Sequence, residues 1–187
     1  SGVFEGRTLG TSSGLLIRNK DADPSAYAPF KDKFRPSHAD FTTQAKYGIR
    51  NWQGGGRASA RETVARVAAG AIAKQVLDSL FGVHVQAWVQ SVGAIQTDMA
   101  SEHVSAEAVV SNVMRCPDAA VAEQMETLVR AVRKEGDTIG GTIRAVSRGV
   151  PAGRGDPVFD KLEPDLAKAM LSLPAAKGIE SGTGIQG

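Results

Sequence analysis

Residues 59–82 contain the feature that most restricts the fold, a long alanine-rich helix with both ends marked. Ser59 and Glu62 lie three positions apart, which predicts a capping box. The serine hydroxyl would accept the Glu62 amide, and the carboxylate would reach back to the Ser59 amide. Gly82 predicts the end of the helix. Apolar residues recur at helical spacing and predict one face packed in the core. They are Val64, Val67, Ala68, Ala71, Ile72, Leu77 and Leu80.

The segment before this helix predicts an anion-binding site. Gly54, Gly55 and Gly56 would let the backbone approach a ligand, and the first free amides of a helix favour an anion. Arg57 and Arg61 flank the same spot. Residues 31–66 hold eight basic and three acidic side chains, a local charge of +5, although the whole chain carries only +2. We therefore predict a site for phosphate or carboxylate, which leaves small phosphates and nucleic acid as candidate ligands.

The composition is that of a soluble globular protein, with 187 residues, 42% of them hydrophobic and 22% charged, and predicts one domain over residues 1–187. Cys116 is the only cysteine, so no disulfide can form within the chain and a reducing, cytoplasmic setting is expected. A lone cysteine of this kind is typical of core packing rather than of a nucleophile. The longest apolar run near the centre, residues 67–73, is far shorter than the about 20 residues of a membrane span. We therefore expect no membrane partner.

The first third of the chain predicts a hairpin and two loops. Val3 and Phe4 are expected to pair with the apolar run at residues 15–17 across a glycine-rich middle. Residues 20–34 and 41–56 lack periodicity and are predicted to be loops, and a loop as long as the second is usually functional. His38 and Asp40 lie between the loops on an ordered segment, and the sequence does not assign them a shared face.

Residues 83–150 predict a strand, a helix and a second strand. Alternation places Val83, Val85, Ala87 and Val89 on one apolar face of the first strand, with Trp88 among the polar residues opposite. A short helix is expected within residues 101–112. Asp118 predicts the start and Gly136 the end of the longer helix, and residues 137–150 predict the second strand. A last helix is expected to begin at Asp156-Pro157 and to restart at Pro164. Helices on mostly antiparallel sheet, without regular βαβ units, indicate an α+β fold.

Known phosphate and metal motifs do not fit. A P-loop requires lysine and then serine or threonine after its last glycine, where this chain has Arg57-Ala58. The dinucleotide fingerprint requires a glycine where Ser59 lies. No metal is expected, because His38, His84 and His103 have no ligand spacing and there is one cysteine. Histidine can transfer protons near neutral pH, so His38 in its basic segment is a candidate site residue.

Motifs along the chain resemble, in order, those of the chorismate synthase family. The central run comprises Arg35-Pro36-Ser37-His38-Ala39-Asp40, Lys46-Tyr47-Gly48, Gly54-Gly55-Gly56-Arg57-Ala58-Ser59-Ala60-Arg61-Glu62-Thr63 and Val67-Ala68-Ala69-Gly70. Further matches are Ser1-Gly2-Val3-Phe4-Glu5-Gly6, Glu135-Gly136-Asp137, Gly149-Val150-Pro151-Ala152-Gly153 and Pro157-Val158-Phe159-Asp160-Lys161-Leu162. Because several motifs agree in order, the chain is identified as a member of this family.

The resemblance implies a carbon–oxygen lyase of the shikimate pathway, which serves aromatic amino acid biosynthesis. Members of the family remove phosphate and a ring proton from 5-enolpyruvylshikimate 3-phosphate in an anti 1,4-elimination that gives chorismate. They are flavoproteins that need reduced FMN although no net oxidation occurs, and NADP is a further association of the family. Helices layered with antiparallel sheets in a homotetramer are the implied architecture.

The resemblance also implies roles for single residues. His38 matches the family histidine that protonates the reduced flavin. Arg57, Ala58 and Ser59 match a tripeptide that contacts the flavin, and Arg61 matches an arginine that holds the anionic substrate. Ser37 and Ala58 replace the family's usual glycine and serine.

The matching motifs are those of the middle of the family's sequence. The amino-terminal Gly-Glu-Ser-His-Gly motif, with a second catalytic histidine, and the carboxy-terminal Gly-Arg-His-Asp motif are not in this chain. We therefore expect residues 1–187 to be the central part of a longer enzyme, and we expect this part alone not to turn over substrate.

Two other functions remain open on the sequence. A flavin reductase is the weaker one, because no nicotinamide-binding fingerprint is visible. A nucleic-acid-binding module could use the basic segment with Tyr47 and Trp52 as stacking platforms, whereas the resemblance implies no nucleic acid. Salt separates the two kinds of site, since nucleic-acid binding falls steeply with ionic strength.

Overall fold

A computed structural model describes residues 2–186, so Ser1 and Gly187 lie outside the described residues. Five α-helices lie in that range: α1 Asp40–Tyr47, α2 Thr63–Phe81, α3 Ala106–Val110, α4 Ala119–Lys134 and α5 Leu162–Leu171. The five strands of the same range are β1 Val3–Phe4, β2 Arg7–Thr8, β3 His84–Val92, β4 Ile95–Gln96 and β5 Gly141–Arg148. Helices combined with antiparallel strand pairs confirm the α+β prediction.

The chain divides into two compact units. One comprises the residues up to Ile72 together with those from Ala152 onward, and the other is Ala73–Pro151. The single domain expected over residues 1–187 stays a prediction.

The unit Ala73–Pro151 is built on a three-stranded antiparallel sheet in the order β4, β3, β5. Strand β3 pairs with β5 from His84 opposite Arg148 to Val92 opposite Gly141, with a bulge between Val89 and Ser91. Helix α4 contributes Ala122 and Met125 to a core that also contains Val92 and Cys116. The packing role predicted for Cys116 is confirmed, since the side chain is fully buried.

The predicted buried face of β3 is only partly confirmed: Val83 is buried and Val89 packs against the core around Met125, but the prediction is wrong at Val85 and Trp88. Trp88 is only 1% exposed and packs with Val104 and Val109, whereas Val85, on the predicted core face, is 36% exposed. The indole N–H donates to the Gln90 side-chain oxygen at 2.9 Å, so burying the ring leaves no unpaired donor. An aromatic ring buries more apolar surface than a valine, which favours burial of Trp88 at this position.

Helix α4 follows the sequence prediction closely. The Asp118 carboxylate accepts the amides of Ala120 and Val121, at 3.0 and 3.1 Å, as an N-cap should. Gly136 follows the last turn with a φ of 74°, the left-handed backbone of a helix end. Both boundaries are therefore set by local chemistry that the sequence displays.

The other unit contains two corrections near its start. Strand β1 pairs with Arg7–Thr8, and the apolar residues 15–17 are exposed and irregular, so the predicted hairpin partner is wrong. Residues 41–56 are also not one loop, because α1 occupies Asp40–Tyr47. This helix begins on an acidic residue and ends before Gly48 at a φ of 72°, two boundary signals that compensate for its weak periodicity.

Helix α2 ends as predicted, with Gly82 at a φ of 63°, but its surroundings differ from the prediction. None of its 19 residues is buried, and Val67 and Leu80 are both well exposed. The apolar stripe is present in the helix, yet the described chain supplies no element that covers it. The predicted core packing of this helix is therefore wrong for residues 2–186.

The last helix begins later than predicted. Residues 156–161 form an irregular turn in which the Asp156 amide donates to the Asp160 carbonyl at 2.7 Å. Helix α5 starts at Leu162 and accommodates Pro164 in its first turn, where a backbone N–H needs no helical partner. Among residues 2–186, none of the helices has both the length and the apolar character that crossing a bilayer requires.

Candidate active site

A tight turn at residues 35–38 places His38 next to the first residue of α1. The His38 amide donates to the Arg35 carbonyl at 3.3 Å, with Pro36 and Ser37 at the two central positions. Ser37 has a φ of 57°, so the third residue of the turn is left-handed, as in type II turns. Glycine adopts this conformation without the strain that the Cβ of Ser37 introduces.

The turn brings Arg35, His38 and Asp40 together around one buried carboxylate. Asp40 is 4% exposed and accepts from the Arg35 Nε at 2.8 Å, the Arg35 Nη2 at 2.9 Å and the Arg35 amide at 3.1 Å. The His38 Nδ1 lies 2.9 Å from Asp40 Oδ1. The hydrogen bonds from Arg35 hold the pKa of Asp40 well below its usual range, against the opposing effect of burial. Asp40 is therefore ionised throughout the physiological pH range.

A second arginine completes the positive environment of this carboxylate. Arg50 Nη1 lies 3.9 Å from Asp40 Oδ1, and Arg50 Nη2 donates to the carbonyls of Phe30, Lys31 and Lys33 at 2.8 to 2.9 Å. The Arg50 guanidinium also lies over the Phe34 ring at 5.3 Å. Arg50, which follows α1, thus connects its own segment to residues 30–33 before the turn.

The start of α2 differs from the predicted capping box. The Ser59 hydroxyl accepts from the Arg61 amide at 3.3 Å, while the Glu62 amide donates to the Ser59 carbonyl at 3.1 Å. The Glu62 carboxylate pairs with Arg66 Nη1 at 2.7 Å instead of returning to the Ser59 amide, which donates to Gly56. Two short 3-10 turns, Gly56–Ala58 and Ala60–Glu62, therefore precede the α-helix proper.

These turns use amides that the sequence suggested would be free for an anion. The amides of residues 58, 59, 61, 62 and 63 all donate within the segment. Two of the three glycines are also required by the local backbone rather than by a ligand. A Cβ on Gly55 would lie 2.8 Å from the Cβ of Ser59, and Gly56 has a left-handed φ of 52°. An anion site here would therefore depend on side chains more than on backbone amides.

Arg57 and Arg61 are the side chains available for that task. Both are exposed, and within residues 2–186 neither guanidinium has a hydrogen bond or an ion pair. The other arginines of residues 31–66 are engaged: Arg35 with Asp40, Arg50 with three carbonyls, and Arg66 with Glu62 and Ser172. Ser59 can still donate its hydroxyl proton, whereas Ala58 offers only a methyl group and a carbonyl. This donor set suits a phosphate or carboxylate group.

The described contacts do not link His38 to the segment 57–61. The hydrogen-bonding neighbours of His38 in the described chain are Arg35 and Asp40, and no hydrogen bond joins it to Arg57 or Ser59. Two open grooves, of about 460 and 680 Å³, lie in the other unit, against α4, and none of the predicted site residues lines them. Residues 2–186 also contain no group of three or more His, Cys, Asp or Glu side chains that could hold a metal ion.

Sequence reasoning missed Arg35, Asp40 and Arg50 as members of the site. The spacing of His38 and Asp40, two residues apart before a helix, was a usable signal, because a turn ending in an acidic helix start can bring them together. Arg50 carried no such signal, since its role depends on carbonyls 17 to 20 residues away in the chain.

The comparison with known protein families decides what this arrangement belongs to. The family model described as chorismate synthase matches residues 1–187, the whole chain. The chain belongs to the chorismate synthase family.

Relatives within the chorismate synthase family agree with this assignment. The chain is 57% identical over all 187 residues to the chorismate synthase of Thermosynechococcus vestitus and 56% identical to that of a Synechocystis species, and it covers 52% of each relative. A solved structure described as a crystal structure of chorismate synthase superposes with a TM-score of 0.69 at 32% identity, over 79% of this chain and 48% of the other. The chain thus spans about half the length of the curated relatives it matches.

Proposed function

We propose that the chain is the central part of a chorismate synthase that converts 5-enolpyruvylshikimate 3-phosphate to chorismate with reduced FMN. The observation that carries the proposal is the agreement between the family match over residues 1–187 and the two unpaired arginines at the start of α2. An exposed arginine without a partner is ordinary by itself. Here the two in question are the ones that match the family's ligand-binding positions.

Arg61 is proposed to hold the anionic substrate. Its guanidinium can form paired hydrogen bonds to phosphate or carboxylate oxygens without first breaking a bond within the described chain. As the phosphate leaves, negative charge accumulates on its oxygens, and a fixed positive group at that place lowers the barrier. Arg66, one turn further along α2, is not equivalent because Glu62 already neutralises it.

Arg57, Ala58 and Ser59 are proposed to contact the flavin. The Arg57 guanidinium and the Ser59 hydroxyl supply donors for the flavin phosphate or ring oxygens, and Ala58 supplies apolar contact. Reduced FMN, when bound, would supply the electron-rich ring that the family's elimination requires without net oxidation. The loss of the usual serine hydroxyl at Ala58 removes one donor, so Arg57 and Ser59 contribute most of the polar contact.

His38 is proposed to be the catalytic proton donor to the reduced flavin. Histidine exchanges protons readily near neutral pH, and the ring is a quarter exposed while its Nδ1 faces Asp40. The part of the ring that is directed away from Asp40 is then the part that can reach a cofactor.

The assembly and the setting of the enzyme are part of the proposal. We propose a homotetramer in the cytoplasm, and NADP is a further association that the family resemblance implies. The single buried cysteine is compatible with a reducing compartment.

Turnover by the full-length protein tests the proposed function. Under anaerobic conditions with reduced FMN, chorismate and phosphate should form in equal amounts from 5-enolpyruvylshikimate 3-phosphate, and the 187-residue chain alone should form neither. The absence of chorismate from the full-length reaction would refute the activity. The intact mass of the protein in its source cells should be about twice that of this chain if the chain is the central part.

Salt dependence separates this proposal from a nucleic-acid-binding module. Flavin binding by a few side-chain contacts should change little between about 50 and 200 mM salt, whereas nucleic-acid binding by many phosphate contacts should fall by orders of magnitude. Tyr47 and Trp52, the rings considered as stacking platforms, are already approached by Lys46 at 5.3 Å and by Lys31 at 6.0 Å.

A further inference from the structure

We propose that Asp40 is a positioning residue that fixes the proton of His38 on Nδ1 and so reserves Nε2 for proton transfer. The proposal rests on the proposed role of His38 and deepens it, because it names the group that sets the tautomer and orientation of the ring. The contacts around one buried carboxylate carry it.

The state of Asp40 is set by its surroundings. The side chain is 5% exposed, and all three of its Arg35 donors, one backbone and two guanidinium, lie within 3.1 Å. The Arg50 guanidinium adds a second positive charge at 3.9 Å. A carboxylate surrounded in this way keeps its negative charge, so it can accept hydrogen bonds and cannot donate one.

The four hydrogen bonds to Asp40 then determine where the histidine proton lies. Oδ2 accepts from the Arg35 amide and Nε, and Oδ1 accepts from Arg35 Nη2 at 2.9 Å. His38 Nδ1 takes the remaining place on Oδ1, also at 2.9 Å. Because both oxygens only accept, the contact is a hydrogen bond only when Nδ1 carries the proton.

A competing arrangement is excluded by the same charges. Arg35 Nη2 lies 3.2 Å from His38 Nδ1 and could in principle donate to an unprotonated Nδ1. That arrangement would leave the His38 lone pair facing the negative Oδ1 at 2.9 Å, with no proton between them. The ionised carboxylate therefore favours the Nδ1–H tautomer, and Arg35 Nη2 donates to Oδ1 instead.

The consequence for proton transfer follows from the two nitrogens of one ring. With Nδ1–H held by Asp40, the neutral ring has its lone pair on Nε2, and the protonated ring has its transferable proton there. Within residues 2–186, Nε2 has no hydrogen-bond partner, and the ring is 25% exposed. Asp40 thus directs proton exchange to the one nitrogen that a ligand can reach.

The tautomer is measured directly on the full-length protein. Histidine labelled with ¹⁵N distinguishes Nδ1–H from Nε2–H by two-bond correlations between ring nitrogens and carbon-bound protons, and the signal that is missing from a His38→Asn variant assigns His38. At a pH where His38 is neutral, the wild-type chain should contain His38 as Nδ1–H. An Nε2–H signal for wild-type His38 would overturn the proposal without any variant.

Two variants separate positioning from stability. Asp40→Asn replaces the obligate acceptor with an amide that can donate to Nδ1, so the Nε2–H form of His38 should appear. Arg50→Gln removes the hydrogen bonds to three carbonyls but leaves the Asp40 carboxylate, so Nδ1–H should persist even if the chain is less stable. An unchanged tautomer in Asp40→Asn would overturn the proposal, as would an equal change in both variants.

Activity of the full-length protein distinguishes failure of this inference from failure of the proposed function. Asp40→Asn should lower kcat about 100-fold, the usual scale of general acid–base catalysis, while changing KM for the substrate less than about threefold. An inactive wild-type enzyme whose His38 is Nδ1–H would refute the function and leave the geometry standing. An active enzyme in which Asp40→Asn has wild-type kcat would refute the positioning role alone.

Discussion

Arg35 and Asp40 form a two-pronged ion pair, with Arg35 Nε 2.8 Å from Oδ2 and Arg35 Nη2 2.9 Å from Oδ1 of the same carboxylate. The pair closes the turn that presents His38 and anchors the first residue of α1. Asp40 is the one buried acidic residue among residues 2–186, and both of its carboxylate oxygens accept hydrogen bonds.

The ion pair predicts a pH dependence of stability. Arg35 depresses the pKa of Asp40 in the folded chain. The contribution of the ion pair to the free energy of unfolding is therefore complete above the unfolded pKa of about 3.9, and it is lost as the pH falls toward the folded pKa. Asp40→Asn should lower the free energy of unfolding by about 3 kcal/mol at pH 7. Urea unfolding of both chains should give a constant difference above about pH 5 and a shrinking one below pH 4. A difference that grows on acidification would contradict the pairing.

Ser37 predicts a gain in stability on substitution by glycine. The left-handed φ of 57° strains any residue with a Cβ by about 1 to 2 kcal/mol, and a glycine would relieve this strain. The more flexible unfolded chain of the glycine variant offsets about 0.5 to 1 kcal/mol of the stability gained. Ser37→Gly should therefore raise the free energy of unfolding by about 0.5 to 1 kcal/mol in thermal or urea melts. Ser37→Ala keeps the Cβ and should show no gain. A destabilised Ser37→Gly chain would mean that the turn has another conformation.

The face correction in β3 is tested by a matched pair of alanine substitutions. Trp88→Ala should cost about 3 to 5 kcal/mol because it empties a buried site, whereas Val85→Ala, on the more exposed face, should cost less than about 1 kcal/mol. Urea unfolding of the two variants measures both values. Equal losses of unfolding free energy in the two variants would contradict the burial of Trp88 and the exposure of Val85.

Arg57 and Arg61 predict separable losses of ligand binding in the full-length enzyme. Arg57→Ala should weaken FMN binding by about 10- to 100-fold, the value of a charge-assisted hydrogen bond. Arg61→Ala should weaken substrate binding to a similar extent and largely keep flavin affinity. Fluorescence titration of flavin and equilibrium binding of substrate measure the two.

Arg66→Ala is the control for these arginines, because its guanidinium is already paired with Glu62 and should affect neither ligand. Equal loss of flavin and substrate in Arg61→Ala would contradict the separate role assigned to that residue.

The sequence predicts best what local chemistry decides. The sequence predicts the Asp118 cap, the helix ends at Gly136 and Gly82, and strands β3 and β5 taken singly. Each of these features depends on residues close together in the chain. The burial of Trp88 in β3 and the uncovered stripe of α2 depend on what packs against them, which alternation and periodicity do not show. The family motifs likewise indicated His38, Arg57 and Arg61. The contacts of Asp40 with Arg35 and His38 could not be predicted, because they depend on the conformation of the turn at residues 35–38.

The central claim is that His38 is the proton donor in a chorismate-forming enzyme, and the rate of chorismate formation by His38→Asn in the full-length protein tests it most directly. His84→Asn is the matched control, since His84 is exposed and pairs only loosely with Asp78 at 3.4 Å. With reduced FMN and saturating substrate, we expect His38→Asn to lose at least about 100-fold in kcat and His84→Asn to stay within about twofold of wild type. A His38→Asn enzyme that forms chorismate at the wild-type rate would contradict the account.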